Sequence, residues 1–168
     1  MNSFMRFVNV INEAVGKCCS LLVAPMMGII VLELVLRFIF ASPTNWVHES
    51  SGYMLAFYSI LGGGYALQGR GHVNVDILLT RFTRRKQRLI ALFTWLVFFF
   101  YLIVIIWYSG EASIFSIKIW EHSSSAWGPL YWPVRLVIPI GSILMFLQGL
   151  VQFIEDLTFV LKREEEVI

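Results

Sequence analysis

Residues 89–110 read LIALFTWLVFFFYLIVIIWYSG, a run of 22 residues without a charged side chain. A helix needs about 20 apolar residues to cross a hydrocarbon core of roughly 30 Å, so this stretch predicts a transmembrane helix. A spanning β-strand would be shorter and would alternate apolar with polar residues. The 168-residue chain is 58% hydrophobic and 14% charged, which argues against a soluble enzyme or a disordered chain.

Three further stretches have the same character. The second span is free of charge, the fourth has charges only at its ends, Arg135 and Glu155, and the first along the chain carries only Glu33 and Arg37. The four predicted transmembrane helices lie at about 18–41, 50–69, 89–110 and 134–155. We therefore predict an all-α membrane protein, in which residues 1–168 form a single four-helix transmembrane domain.

The distribution of basic residues predicts the orientation. The connection after the second span carries one acid, Asp76, and six basic residues: Arg70, Arg81, Arg84, Arg85, Lys86 and Arg88. Because Lys and Arg are enriched in cytoplasmic loops, this connection and both termini are predicted to be cytoplasmic. Five of the six tryptophans then form a belt at the outer ends of the spans: Trp46, Trp107, Trp120, Trp127 and Trp132.

The N-terminal residues, about 3–17, predict an amphipathic helix. The apolar residues recur at helical spacing: Phe4, Phe7, Val8, Ile11, Val15 and Cys18. The other face is polar: Arg6, Asn9, Asn12, Glu13 and Lys17. The segment also lacks the compact basic start and the A-x-A site of a cleavable signal peptide. We expect this helix to lie on the inner membrane surface before the first span.

The outer connection between the third and fourth spans, about 111–132, is longer than a turn. Its first part either prolongs the third helix or forms an interfacial segment, and the sequence leaves both open. Pro133, after Trp132, suits the first turn of the fourth helix, where its missing N–H costs nothing. Pro139 lies further in and is expected to kink that helix.

Glu33 and Arg37 share one helix face, about 6 Å apart along the axis. Because a charged side chain within a membrane span costs free energy, its presence there indicates a functional or structural role. One interpretation makes Glu33 a proton or cation site, as in small multidrug exporters. The other, which we favour, makes the two residues a structural pair or part of a subunit interface, since a neighbouring cation stabilises the charged carboxylate.

Other polar and small residues favour packing over catalysis. The three histidines do not face one another across spans and form no metal motif, so no cofactor, metal or enzymatic activity is predicted. Residues 62–64 form a triple glycine that favours close helix packing. Gln148, Gln152 and Glu155 form one stripe, which hydrogen-bonds either a partner helix or the bundle itself.

Two segments carry a family resemblance. Residues 37–49 read RFIFASPTNWVHE and residues 71–78 read GHVNVDIL, followed by Trp132-Pro133 and an Ile-Pro-Ile-Gly segment at 138–141. Together they resemble the small, DctQ-type membrane subunit of TRAP (tripartite ATP-independent periplasmic) transporters. Where that family often has a first acid after the Trp, this chain has His48.

The resemblance implies a non-catalytic stator in the cytoplasmic membrane of a bacterium or archaeon, and no nucleic-acid partner. It implies a stable complex with a large elevator-type subunit that holds the substrate and sodium sites, a transient complex with a periplasmic substrate-binding protein, and contact with membrane lipids. The cargo would be an organic anion such as a C4-dicarboxylate, a sialic acid, another sugar or keto acid, or a sulfonate. We expect His72 and Asp76 to fix the inner end of the second span, and Trp46 and Glu49 its outer end. The competing hypothesis is a self-contained, proton-coupled exporter that uses Glu33.

Overall fold

The computed structural model describes residues 3–69 and 84–165, with side chains described through 69 and again within 92–158. Within these ranges the chain is helical, apart from its connections and one isolated β-bridge between His122 and Leu130. The helices are α1 (Ser3–Ser20), α2 (Val23–Phe38), α3 (Val47–Gln68), α4 (Arg84–Lys118) and α5 (Trp132–Glu165). The predicted all-α class is therefore confirmed for the described residues.

Three described stretches are long and apolar enough to cross a membrane: Ser3–Phe38, Leu92–Lys118 and Trp132–Thr158. They support a multi-pass membrane protein. The predicted second span, 50–69, coincides with the 22-residue α3, whose glycines, serines and tyrosines make it less apolar than the other three stretches. The count of four spans and the cytoplasmic termini stay predictions.

The junction between α1 and α2 lies slightly later than the sequence suggests. α1 continues to Ser20, beyond the predicted end of the amphipathic segment at 17, and the helix is interrupted only at Leu21 and Leu22. Their amides donate to the carbonyls of Cys18 and Cys19, at 3.2 and 3.0 Å, in the tighter i to i+3 pattern. The short interruption separates α1 from the apolar α2.

α1 packs against α3 and α5 through a stripe that differs from its predicted apolar face. The buried residues of α1 are Met5, Val8, Asn12, Gly16 and Cys19. Met5 and Val8 form a small core with Val151 of α5. Phe4 and Phe7 are exposed, so α1 has one face on the bundle and an apolar face that no described residue covers.

Glycines bring the helices into close contact. A Cβ atom built at Gly63 would lie 2.7 Å from Met145 Sδ, and one at Gly64 would meet Asn12. Gly63 and Gly64 are buried, whereas Gly62 has open space at its Cβ position. The packing role predicted for residues 62–64 therefore holds for two of the three glycines.

An aromatic cluster joins α4 to α5. It comprises Trp95, Phe98 and Phe99 of α4 with Phe146 and Phe153 of α5, in mostly edge-to-face contacts at centroid distances of 5.1 to 6.0 Å. The buried Trp95 Nε1 donates to Asp156 Oδ2 at 3.1 Å. The indole therefore buries its ring in the cluster while its N–H meets a carboxylate near the end of the bundle.

The outer connection begins as a continuation of α4, which reaches Lys118. Residues 111–118 therefore prolong the third helix, which is one of the two alternatives that the sequence leaves open. The next residues form a loop, the outer loop (119–131), in which Ser123 N donates to Pro129 O and Tyr131 N donates to Glu121 O, both at 2.8 Å. The outer loop thereby returns the chain directly to the start of α5.

Pro139 lies inside α5, as predicted, and its missing amide leaves Arg135 O without the usual donor four residues later. Ser113 of α4 offers a replacement, because its Oγ lies 2.8 Å from Arg135 O, although it also lies 2.6 Å from Ser109 O in its own helix and has one proton for the two carbonyls. Ser113 is almost fully buried, so this contact lies inside the bundle. The contact ties α4 to α5 at the point where α5 lacks its own hydrogen bond.

We expect Ser113→Ala to destabilise the purified chain by about 0.5–1.5 kcal/mol, because it removes the side-chain hydrogen bond that replaces the missing Pro139 donor. Thermal unfolding in detergent, followed by circular dichroism, measures the change. Ser109→Ala is the matched control, since Ser109 Oγ donates to Ile105 O within its own helix, where the carbonyl retains a backbone donor. Equal midpoints for the two variants would contradict the role assigned to Ser113.

Candidate partner interface

Glu33 holds the end of α2 against the connection that leads to α3. Its Oε1 accepts from Arg37 Nε at 3.1 Å and from Arg37 Nη2 at 2.7 Å. Its Oε2 accepts from the Thr44 amide at 3.1 Å and also from the Thr44 hydroxyl. Both oxygens are therefore engaged within the chain, and Glu33 is the only buried residue among the 16 of α2.

The local backbone explains why Thr44 reaches Glu33. Ala41 adopts a positive φ of 51°, a left-handed conformation that ends a helix. Ser42 N donates to Leu36 O at 3.0 Å and so satisfies one of the last carbonyls of α2. The chain turns back on itself here, and Thr44 arrives beside the carboxylate that lies eleven residues earlier.

Trp46 and Glu49 lie where the connection enters α3. Trp46 occupies the N-cap position of α3, but its side chain makes no capping hydrogen bond and remains partly exposed. Glu49 lies in the first turn, where a negative charge suits the helix N-terminus. Its Oε2 accepts from Ser125 Oγ of the outer loop, and its Oε1 lies 3.3 Å from Tyr53 Oη. Glu49 thus joins the start of α3 to the outer loop.

Hydrogen bonds from Ser123 and Ser125 hold the pKa of Glu49 below its usual range, because they stabilise the ionised carboxylate. Because the pKa is lowered in the folded state, these hydrogen bonds contribute their full stabilising free energy above the ordinary pKa of a glutamate. This stabilisation is lost as the pH falls through the lowered pKa. Acidification should therefore loosen the contact between the outer loop and α3.

A cleft of about 520 Å³ opens beside Glu49 at this end of the bundle. Its wall combines the carboxylate with His48, Tyr53, Tyr131 and Val134. Among the described residues, no group of three or more His, Cys, Asp or Glu side chains is arranged to hold a metal ion. The cleft therefore presents mainly apolar surface beside one carboxylate, that of Glu49.

Gln148 and Gln152 lie inside the bundle. Gln148 is almost fully buried; its Oε1 accepts from Asn12 Nδ2 at 3.0 Å, and its Nε2 donates to Asn9 Oδ1 at 2.9 Å. Gln152 Nε2 donates to Leu67 O, one of the last carbonyls of α3. Of the two alternatives for this stripe, the glutamines make the contacts expected of packing within the bundle.

The partners of these glutamines are not those that the sequence predicts. Asn9 and Asn12 belong to the predicted polar face of α1, yet Asn12 is buried. Their signal was available, because two amide side chains at i and i+3 match an amide stripe elsewhere in the chain. Asp156, which accepts from Trp95, had no comparable signal.

Trp132 and Pro133 begin α5, as predicted, at the point where the outer loop ends. Arg135, one turn later, donates to Glu121 Oε1 at 2.8 Å and lies over the Tyr131 ring at 5.1 Å. These contacts hold the outer loop against α5. His72 and Asp76, the two candidates for the inner end of α3, lie outside the described residues.

Two helices present broad apolar faces that remain uncovered within the described part of the chain. The exposed large apolar side chains of α2 are Met27, Ile30, Val31, Leu32, Leu34, Val35 and Phe38. Those in the middle of α4 are Phe93, Leu96, Val97, Phe100, Tyr101, Ile103, Val104, Trp107 and Tyr108. Faces of this size require lipid or another membrane protein.

Comparison with known proteins identifies a family that matches most of the chain. The family model described as "Tripartite ATP-independent periplasmic transporters, DctQ component" matches residues 26–159. The chain is also similar to a C4-dicarboxylate TRAP transporter small permease protein, DctQ, of Pseudomonas aeruginosa, with 24% identity over 127 residues. That alignment covers 74% of this chain and 59% of the relative's length. The chain belongs to the DctQ family, whose members are small permease subunits of tripartite ATP-independent periplasmic transporters.

Proposed function

We propose that this chain is the non-catalytic stator subunit of a sodium-driven, binding-protein-dependent TRAP transporter that imports organic anions. It braces the large elevator-type subunit, and a periplasmic substrate-binding protein docks transiently on the complex. The complex resides in the cytoplasmic membrane of a bacterium or archaeon, with four spans and both termini inside. The cargo is a carboxylate such as a C4-dicarboxylate, the class named for the Pseudomonas relative, or a sialic, sugar or keto acid or a sulfonate.

The observation that carries this proposal is the use of polar groups inside the described part of the bundle. Glu33 is engaged by Arg37 and Thr44, and Gln148 and Gln152 are engaged by α1 and α3. A transporter that moves an anion by itself needs polar groups converging on a site near the midplane, often at broken helices. Here these groups fasten helices to one another or to their connections, which supports a bracing role and argues against the Glu33 exporter.

The interfacial position proposed for α1 is supported by its pattern of contacts. From Met5 to Gly16, α1 covers about 16 Å along its own axis. Over this length the residues that it meets include Gln148 and Val151 on α5 and Gly64 and Tyr65 on α3, which are short segments of its neighbours. A helix that contacts its neighbours at nearly constant depth runs across them rather than alongside them. The exposed Phe4 and Phe7 would then enter the lipid.

The test is to co-express the chain with the large subunit encoded beside it and to purify it through a C-terminal tag. The proposal expects recovery of a roughly stoichiometric complex. In proteoliposomes, that complex should take up its anion only with a sodium gradient and the binding protein. Recovery of the chain alone as a homo-oligomer that performs proton-coupled efflux would instead support the exporter.

A further inference from the structure

A second cleft, of about 300 Å³, lies between the C-terminal half of α1 and one face of α3. Its wall includes Gly16 and Lys17 of α1 and Tyr58, Gly62 and Tyr65 of α3. Its lining residues take no part in the polar contacts described above for Glu33, Glu49, Gln148 and Gln152. No helix in the described part of the chain fills it.

The two ends of the cleft differ in chemistry. Gly16 packs directly on Tyr65, which lies near the C-terminus of α3. The adjacent Lys17 therefore lies at the end of the cleft nearest the C-terminus of α3. Lys17 Nζ lies 2.6 Å from Glu13 Oε1, and an ammonium carries three N–H donors, so two remain for another anion. The Tyr65 hydroxyl lines the same cleft. From Tyr65 towards Tyr58, the wall consists mainly of small residues and ring surface.

We propose that this cleft binds one phospholipid of the leaflet on the α1 side. The phosphate is held by Lys17 and Tyr65, and one acyl chain runs along α3 past Gly62 towards Tyr58. The polarity of the cleft matches this occupant, because the Lys17–Glu13 ion pair lies at the end where α1 would meet the head-group region and the apolar wall extends away from it. The proposal rests on the interfacial position of α1 given above.

The dimensions favour an acyl chain over a helix from another subunit. From Tyr58 to Ala66 the cleft follows α3 for about 12 Å, so a volume near 300 Å³ corresponds to a groove roughly 5–8 Å wide. A helix with side chains is about 10–12 Å across and would not enter. A single hydrocarbon chain fits such a groove and gains free energy with each buried methylene.

Native mass spectrometry of the delipidated chain, titrated with phosphatidylethanolamine or phosphatidylglycerol, tests the proposal. Gly62→Leu should fill the cleft without a clash, since its Cβ has no neighbour within 4 Å, and should weaken lipid binding about tenfold. Lys17→Gln should weaken it several-fold. Gly28→Leu is the matched control, because Gly28 also has open space but lies on α2, away from the cleft. Inorganic phosphate alone should not displace the lipid.

Equal lipid retention by Gly62→Leu and Gly28→Leu would overturn the proposal, as would displacement by inorganic phosphate. If Gly62→Leu retains lipid but no longer co-purifies with the large subunit, the cleft is a protein contact and the proposal fails. Ser59→Leu, on the same wall, replaces Gly62→Leu if that variant does not fold. Because the lipid assay uses the chain alone, failure here leaves the stator proposal to its own co-purification test.

Discussion

Gly141→Leu is expected to prevent α3 and α5 from packing. A Cβ atom at this position would lie 2.6 Å from Ile60 Cγ2 and 2.6 Å from the Ile60 carbonyl oxygen. A side chain can change rotamer, but a helix carbonyl can move only if the helix moves. Overpacking a tight core costs about 1–3 kcal/mol or more, and leucine adds three carbons beyond the Cβ that already clashes.

The measurement is the thermal unfolding midpoint and the monodispersity of the variant in detergent. Gly28→Leu is the control, because it makes the same change in a predicted span with nothing within 4 Å of the new Cβ. We expect Gly28→Leu to resemble the parent chain and Gly141→Leu to unfold at a clearly lower temperature or to aggregate. Similar midpoints for the two variants would show that the approach at Ile60 is not required for the fold.

The sequence predicts the helices well because their signals are local. The charge-free run at 89–110 lies wholly within α4, and the amphipathic segment at 3–17 lies within α1. Helix ends were less accurate, since α4 continues to Lys118 through residues that are mixed in polarity. Composition marks where apolar helices occur, but the contacts that prolong a helix depend on its neighbours.

The contacts between helices could be predicted only in part. Gln148 and Gln152 were identified as a hydrogen-bonding stripe, but the sequence left the partner open between this bundle and another subunit. The Glu49–Ser125 contact joins residues 76 positions apart, and the Ser113–Arg135 contact depends on the relative position of two helices. Each contact joins two different elements, so the periodicity within a helix carries no information about it.

Glu33→Gln carries the second large expected effect. The carboxylate accepts hydrogen bonds at both oxygens, from Arg37 and from Thr44. A glutamine offers one oxygen and one NH₂ group, so a donor must face either the guanidinium or the Thr44 amide. We expect this variant to release the connection from the end of α2, to unfold at a lower temperature, and to reduce several-fold the yield of complex with the large subunit.

Glu13→Gln is the matched control, because Glu13 also pairs with a cation four residues later, yet its side chain is 46% exposed against 11% for Glu33. An exposed pair of this kind contributes little, so Glu13→Gln should leave both stability and co-purification unchanged. The comparison also separates the two functions considered for Glu33. A stator loses stability and assembly in Glu33→Gln, whereas an exporter keeps its fold and loses only proton-coupled efflux. A stable Glu33→Gln chain that assembles normally would therefore contradict the structural role of this carboxylate.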